Sequence, residues 1–262
     1  MSVAASLKRS LSRIPKYIFR RPLREILCRR PLHANLSKPI ISFTFDDFPR
    51  SAWTVGGRIL MANDMRGTYY ISLALMDSVT HLGEQFTRGD LAELLENEHE
   101  VACHTFSHYD CRAVRLSAYL DDITRNRHEF ESMFPCRSLR NHAFPSGRAS
   151  LPAKHCLARH FDSIRGIHPG LNVDSIDLNL LRANGLYSDS VDLGHVRQLI
   201  QENNSKKGWL IFYTHDICNQ PSAVGCTPRH FEQVVQMAGE SNALILTIKQ
   251  SLDHLLACSS LR

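Results

Sequence analysis

From Pro39 to the end of the chain, short apolar runs alternate with segments whose apolar residues recur at helical spacing. Ile40–Phe45 reads as a buried strand ending at Asp46-Asp47. A helix is predicted over 52–63, and a second strand, rich in Tyr and Ile, over 67–73. Thr87-x-x-Asp90 has the form of a capping box and opens a helix that carries Leu91, Leu94 and Leu95. Glu100–Cys103 is a third strand. Leu116, Leu120, Ile123, Phe130 and Phe134, at steps of three, four and seven, draw one apolar face of a longer helix that stops before Pro135. A fourth strand is expected over 139–144, a helix over 151–158 with Pro152 in its first turn, and a short fifth strand over 161–164 ending at Arg165-Gly166. Residues 167–184 are polar and loop-like and give no element. A helix over 191–203, a strand at Trp209–Thr214, a helix over 227–238 capped by Thr227-Pro228, a strand over 244–248 and a terminal helix complete the pattern.

Strands that alternate with helices imply βαβ units and a parallel sheet. No Gly-x-Gly-x-x-Gly opens a helix, so a dinucleotide fold lacks its signature. Asp46, Asp47, His104, Pro145, Arg165 and His215 each fall just past a predicted strand. In barrel enzymes the active site gathers at that face, from the ends of different strands.

Composition fits one large α/β domain: 262 residues, 43% hydrophobic, with no bias toward disorder. The net charge of +5 is unevenly placed, because residues 1–38 carry ten Lys/Arg against one acid. The basicity belongs to this arm, and residues 39–262 form the domain. Pro15, Pro22 and Pro31 limit any helix in the arm to short pieces. It reads either as a solvated leader or as a partly amphipathic segment on an anionic membrane surface. The body shows no basic stripe for nucleic acid. Eight scattered cysteines, without a Cys-x-x-Cys pair, read as free thiols. Basic residues interrupt 8–30 and leave no secretory apolar region, and no stretch is apolar enough to span a membrane. The expected place is the cytoplasm, with the inner membrane face as a peripheral option.

His104 and His108, four residues apart, share one face if the chain coils from His104 onward, and both imidazoles then reach one metal ion. A zinc site usually needs a third protein ligand and an open position for water. The adjacent carboxylates of Asp46-Asp47, at the end of an apolar run, supply a candidate, since burying them is costly unless they bind a metal, share a proton or meet a cation.

Thr44-Phe45-Asp46-Asp47 and His104-Thr105-x-x-His108 resemble the first two motifs of the polysaccharide deacetylases, the NodB-like carbohydrate esterases of family 4. Phe144-Pro145-Ser146-Gly147 resembles their third motif, and Leu210 through His215 the last. The resemblance spans roughly residues 39–250. It implies a distorted (β/α) barrel of about seven parallel strands and a hydrolase of carbon–nitrogen bonds other than peptide bonds. The implied reaction removes N-acetyl groups from the amino sugars of a polysaccharide, a chitooligosaccharide or a lipid-linked glycan precursor. It further implies that Asp47, His104 and His108 hold a divalent metal, zinc first, with cobalt or nickel as alternatives. Asp46 is then the general base and His215 the general acid, while the Phe144, Pro145, Ser146 and Gly147 segment meets substrate and oxyanion. Asp216 is read as structural.

Three departures from the family pattern stand out. The arginine common two residues before the third-motif proline is Ala143 here, and of Arg165, Arg140 and Arg148 the first is expected to replace it as the partner of Asp46, because it follows a strand. No Asp-Trp fourth motif is recognisable, and Phe48 stands where a glycine commonly follows the paired aspartates. Two other functions compete: a metal-dependent amidohydrolase on a non-sugar, cyclic amide, and an inactive glycan-binding protein.

Overall fold

The computed structural model describes residues 27–259. The expected arm, and with it any membrane-surface role of its first 26 residues, lies largely outside them. Its described end packs on the body. Strand β1 (Pro31–His33) pairs antiparallel with β9 (Ser175–Asp177), and the Arg30 guanidinium donates to Ala158 O (2.9 Å) and Phe161 O (3.0 Å). Both carbonyls lie just past the C-terminal end of α4 (Leu151–Leu157).

The main sheet holds β2 (Ile40–Phe45), β3 (Thr68–Ile71), β6 (Glu100–Cys103), β7 (Asn141–Ala143), β8 (Ser163–Arg165), β10 (Asn184–Gly185) and β11 (Trp209–Thr214). Their order is β10-β11-β2-β3-β6-β7-β8, every neighbouring pair is parallel, and β12 (Leu244–Ile245) adds beside β2. A hairpin of β4 (Val79–Thr80) and β5 (Gly83–Glu84) stands apart. The helices are α1 (Arg58–Ala62, entered through a π-helical stretch at Ala52–Gly57), α2 (Arg88–Glu96), α3 (Leu116–Met133), α4, α5 (Leu193–Lys206), α6 (Pro228–Gly239) and α7 (Ile248–Ser259). This is a single-domain, distorted (β/α) barrel. The Thr87–Asp90 capping box is present with both of its hydrogen bonds. No described helix is long and apolar enough to cross a membrane.

Segment 167–184, which gave no element from sequence, closes the barrel. Leu181 bridges to Arg165 at one sheet edge, while Asn184 and Gly185 pair with Phe212 and Tyr213 at the other. One stretch switches partners, and it is less polar than it reads: Ile176, Leu178, Leu181 and Ala183 are buried in the inner cluster, spaced without a run or period that marks an element.

Strand alternation sorts the core into two clusters, as period two requires. Ile41, Phe43, Phe45, Tyr69, Ile71, Leu210 and Phe212 face the helices. Ile40, Tyr70, Ala102, Ala143, Trp209, Ile211 and Tyr213 face the barrel interior together with Ile248, Leu252 and Leu255 of α7. Helix α7 therefore plugs the mouth at the strand starts. Its first turn is held by Glu100, a buried carboxylate that accepts from Lys249 N (2.8 Å), Asn141 Nδ2 (2.6 Å) and Thr68 Oγ1 (2.9 Å). A carboxylate at a helix N-terminus answers both the orphan N–H groups and the dipole.

Two buried histidines make the fold acid-sensitive. His99 accepts from Gly67 N at Nδ1 (3.0 Å), and burial, helped by Arg66, lowers its pKa from 6.5 to about 3. Burial likewise lowers His142 well below its ordinary value. Both stay neutral in the folded chain where the unfolded chain binds protons. Stability should be full above pH 6.5 and fall as pH drops toward about 3, each group adding a slope of about 1.4 kcal/mol per pH unit. Urea midpoints across this window check it: His99→Asn should lose about one proton's share of the slope.

Candidate active site

Strand alternation would send Asp46 and Asp47 to opposite faces of the sheet. The chain avoids this by turning into the left-handed region at Asp47 (φ 61°) and Phe48 (φ 55°) immediately after the ladder's last bond, Asp46 N to Thr214 O at 2.9 Å. Both carboxylates then line one cavity. A bulky residue at positive φ is strained. Here Phe48 recovers the cost by stacking on Phe86 (4.9 Å, 7° between planes) and leaning on Tyr69 (4.9 Å).

His104 and His108 also meet, though not on a helical turn. The expected coil is replaced by a loop with Thr105 at φ 64° and His108 at φ 55°. Asp122 of α3 pins it, accepting from Phe106 N (2.8 Å), Ser107 N (2.9 Å) and Ser107 Oγ (2.8 Å). The left-handed residues fold the loop back, so the two imidazoles converge without helical geometry. His104 Nδ1 faces Ala143 O at 2.9 Å, which leaves its Nε2 toward Asp47.

Asp47 Oδ1 lies 3.4 Å from His104 Nε2 and 3.0 Å from His108 Nε2. It is buried, and among the described residues no donor meets it in hydrogen-bonding geometry. One ligand atom from each of Asp47, His104 and His108 falls within 4.8 Å of the others. Burial pushes the Asp47 carboxyl up, but the positive ends of His108, His104 and His215 outweigh it and hold the group below the usual carboxylate range. Burial lowers His104 to about 4 against the pull of Asp46 and Asp47. Burial also draws His108 down, and Asp47 more than restores it. An orphaned carboxylate oxygen facing two imidazole nitrogens fits a divalent cation.

Beside this triad, Arg165 donates from Nη2 to Asp46 Oδ1 and from Nη1 to Gly166 O (3.0 Å). Its guanidinium is 1% exposed and lies between the rings of Tyr70 (4.8 Å) and Tyr213 (5.1 Å). Arg140 pairs instead with Asp162 and Asp253, and Arg148 with Asp110. Burial would lower the Arg165 pKa, but Asp46 raises it above its ordinary value.

The cavity, of about 360 Å³, is lined by Asp46, Asp47, His104, His108 and His215, with Ser146 and Gly147 from the third motif. Phe144 and Pro145 are buried and do not line it. Gly147 requires glycine: φ is 64°, and a Cβ would stand 2.1 Å from Ile167 Cγ1. His215 follows β11, its Nδ1 3.2 Å from Val224 O. Tyr187, Tyr213, Leu82, Ile167 and Val224 add an apolar wall, with His81 at the rim. Tyr213 lies two positions before His215, and that spacing is a signal for it only once His215 is placed on the cavity. Tyr187 and the tip of the β4–β5 hairpin lie in stretches that carry no periodic signal. Larger cavities of about 530 and 610 Å³ open elsewhere, and neither holds the Asp/His cluster.

Removing one partner of a buried pair leaves an uncompensated charge. Arg165→Met should destabilise the fold by about 3–5 kcal/mol, read from urea unfolding above pH 6. An added Asp46→Asn should return part of that loss, because no bare carboxylate then remains.

A profile described as "Polysaccharide deacetylase" matches residues 33–159, which contain the first three motifs but neither Arg165 nor His215. The chain is similar to the Xyl-CE4 domain of a multidomain xylanase from the hindgut metagenome of Trinervitermes trinervoides, at 15% identity and TM-score 0.57 over 83% of this chain and 91% of that one. It is also similar to a mutant of the peptidoglycan deacetylase PdaC from Bacillus subtilis (13%, TM-score 0.52, 86% and 96% covered). A third likeness is to a CE4 family pseudoenzyme from Bacillus anthracis (11%, TM-score 0.55, 85% and 68% covered). At these identities the structural likeness is one of fold. No curated protein matches the chain. Residues 33–159 carry the profile of the polysaccharide deacetylases, and the chain shares the fold of NodB-like carbohydrate esterases of family 4.

Proposed function

We propose that this chain is a metal-dependent N-deacetylase of amino sugars in a polysaccharide, a chitooligosaccharide or a lipid-linked glycan precursor. The observation that carries this reading is the orphaned Asp47 Oδ1 facing two imidazole nitrogens, with Asp46–Arg165 beside it and His215 on the same cavity. Asp47, His104 and His108 would hold the ion, zinc by donor set, with cobalt or nickel acceptable to the same donors. When bound, it supplies Lewis acidity to water and to the amide carbonyl.

The remaining work falls to protein groups. Asp46 takes the proton of the attacking water. One of its oxygens is tied to Arg165, so the other is the acceptor, and the guanidinium fixes its direction. His215, with Nδ1 against Val224 O, delivers a proton from Nε2 to the departing amine nitrogen. On the third-motif side Gly147 N is used by Phe144 O (2.8 Å), so the Ser146 N–H is the backbone donor assigned to the developing oxyanion. The apolar wall of Tyr187, Tyr213 and Ile167 suits a sugar face and an acetyl methyl, and a cavity of this size takes one sugar unit with the rest of the glycan outside. An inactive glycan-binding role fits less well, because it gives no reason to keep five costly polar side chains on one cavity.

Purified protein should carry close to one divalent ion per chain and release acetate from N-acetylglucosamine tetramers. The Asp47→Ala/His104→Ala double variant should lose both, and Asp46→Asn or His215→Ala should lower kcat by about 10²–10⁴-fold with metal retained. Plasma mass spectrometry and an acetate assay read these. Metal with no acetate would move the reaction to another amide, and no metal near neutral pH would remove the basis of the reading.

A further inference from the structure

We infer that Asp216 and Ser222 are positioning residues for His215, acting through the carbonyl of Val224. The inference rests on reading His215 as the acid. A carbonyl can only accept, so Nδ1 of His215 carries the proton whenever the contact to Val224 O is kept, and Nε2 is the nitrogen that gains and loses one. What the site requires is therefore a carbonyl in a fixed place.

The loop 216–226 provides it. Asp216 does not reach the imidazole itself. Its buried carboxylate accepts from Ser222 N at Oδ2 (2.7 Å) and from Ser222 Oγ at Oδ1 (2.6 Å). The same Ser222 hydroxyl, donating to Asp216, accepts from Val224 N at 3.3 Å, a use of one donor and one acceptor that a hydroxyl allows. Val224 is thus held by its N–H on one side. Its carbonyl accepts from Thr214 Oγ1 (3.3 Å) as well as from His215.

The loop's ends are tied by Cys226 N to Asp216 O (2.9 Å) and Cys218 N to Cys226 O (3.2 Å), and Ser188 N reaches Gly225 O (3.2 Å). Gly225 presses against the carboxylate so closely that a Cβ there would stand 2.4 Å from Asp216 Oδ1. Among the described residues no cation pairs with Asp216. A buried carboxylate without a counter-ion is an expensive way to close a surface loop, and backbone bonds already close this one. What the carboxylate adds is the placement of Ser222, hence of Val224, hence of the nitrogen His215 presents.

The test uses the full-length, zinc-supplemented protein and Ser222→Ala, Ser222→Thr and Asp216→Ala. Long-range ¹H–¹⁵N spectra give the His215 tautomer, and steady-state acetate release gives kcat and KM separately. Ser222→Ala should reduce the Nδ1–H tautomer and lower kcat about tenfold with KM within about twofold, while Ser222→Thr, which keeps the hydroxyl, should restore both. An unchanged tautomer and kcat in a Ser222→Ala protein with wild-type unfolding midpoint overturns the inference. Ser222→Ala decides alone if Asp216→Ala does not fold. Absence of acetate release in the wild type would defeat the proposed reaction, and the tautomer would still decide the positioning.

Discussion

The buried ion pair of Asp46 and Arg165 is the interaction around which the mouth of this barrel is arranged. It joins β2, in the middle of the sheet, to β8 at its edge, across the three strands between them in the sheet order. A guanidinium this deep is tolerable because two aromatic faces cover it and a carboxylate meets it. The same contact binds the seam, since Arg165 is also the residue that Leu181 bridges when the chain closes the barrel. A polar group needed at the cavity is thereby part of what holds the edge strand in register.

Much of the fold was legible because it rests on period. Ile40–Phe45, Glu100–Cys103 and Trp209–Thr214 stand where their apolar runs placed them, and the Thr87–Asp90 box opens its helix. The parts that escaped are those that period cannot see. The seam at 181–185 is made by two short pairings, with no apolar run to mark it. The Asp46–Arg165 contact was inferred from strand ends, but its aromatic walls came from Tyr70 and Tyr213, whose alternation points inward only once the register is known. The meeting of His104 and His108 was expected for a helical reason and occurs for another.

That other reason recurs through the cavity. Asp47, Phe48, Thr105, His108 and Ser146 are all non-glycine residues at positive φ. A pattern of side-chain types does not reveal left-handed backbone, because any of these residues is more at ease elsewhere. Each turn redirects one side chain against the alternation that strand or helix would impose. The strain is held by surroundings such as the Phe48–Phe86 stack and the three bonds donated to Asp122, so the fold itself brings the Asp47 oxygen and the two imidazole nitrogens together.

Helix α7 carries a consequence for how the chain is made. It fills the barrel interior with Ile248, Leu252 and Leu255, and its Ser251 hydroxyl meets that of Ser42 at 3.1 Å, 209 residues earlier in the chain. Strand β2, the first of the main sheet to be synthesised, therefore waits for α7 before its inner face is covered. During translation the emerging barrel exposes that apolar lining until α7 leaves the ribosome, and loop closure over the 209 residues between Ser42 and Ser251 sets the pace of that step. Such a nascent chain depends on rapid completion or on a holding chaperone to keep its open end from meeting another.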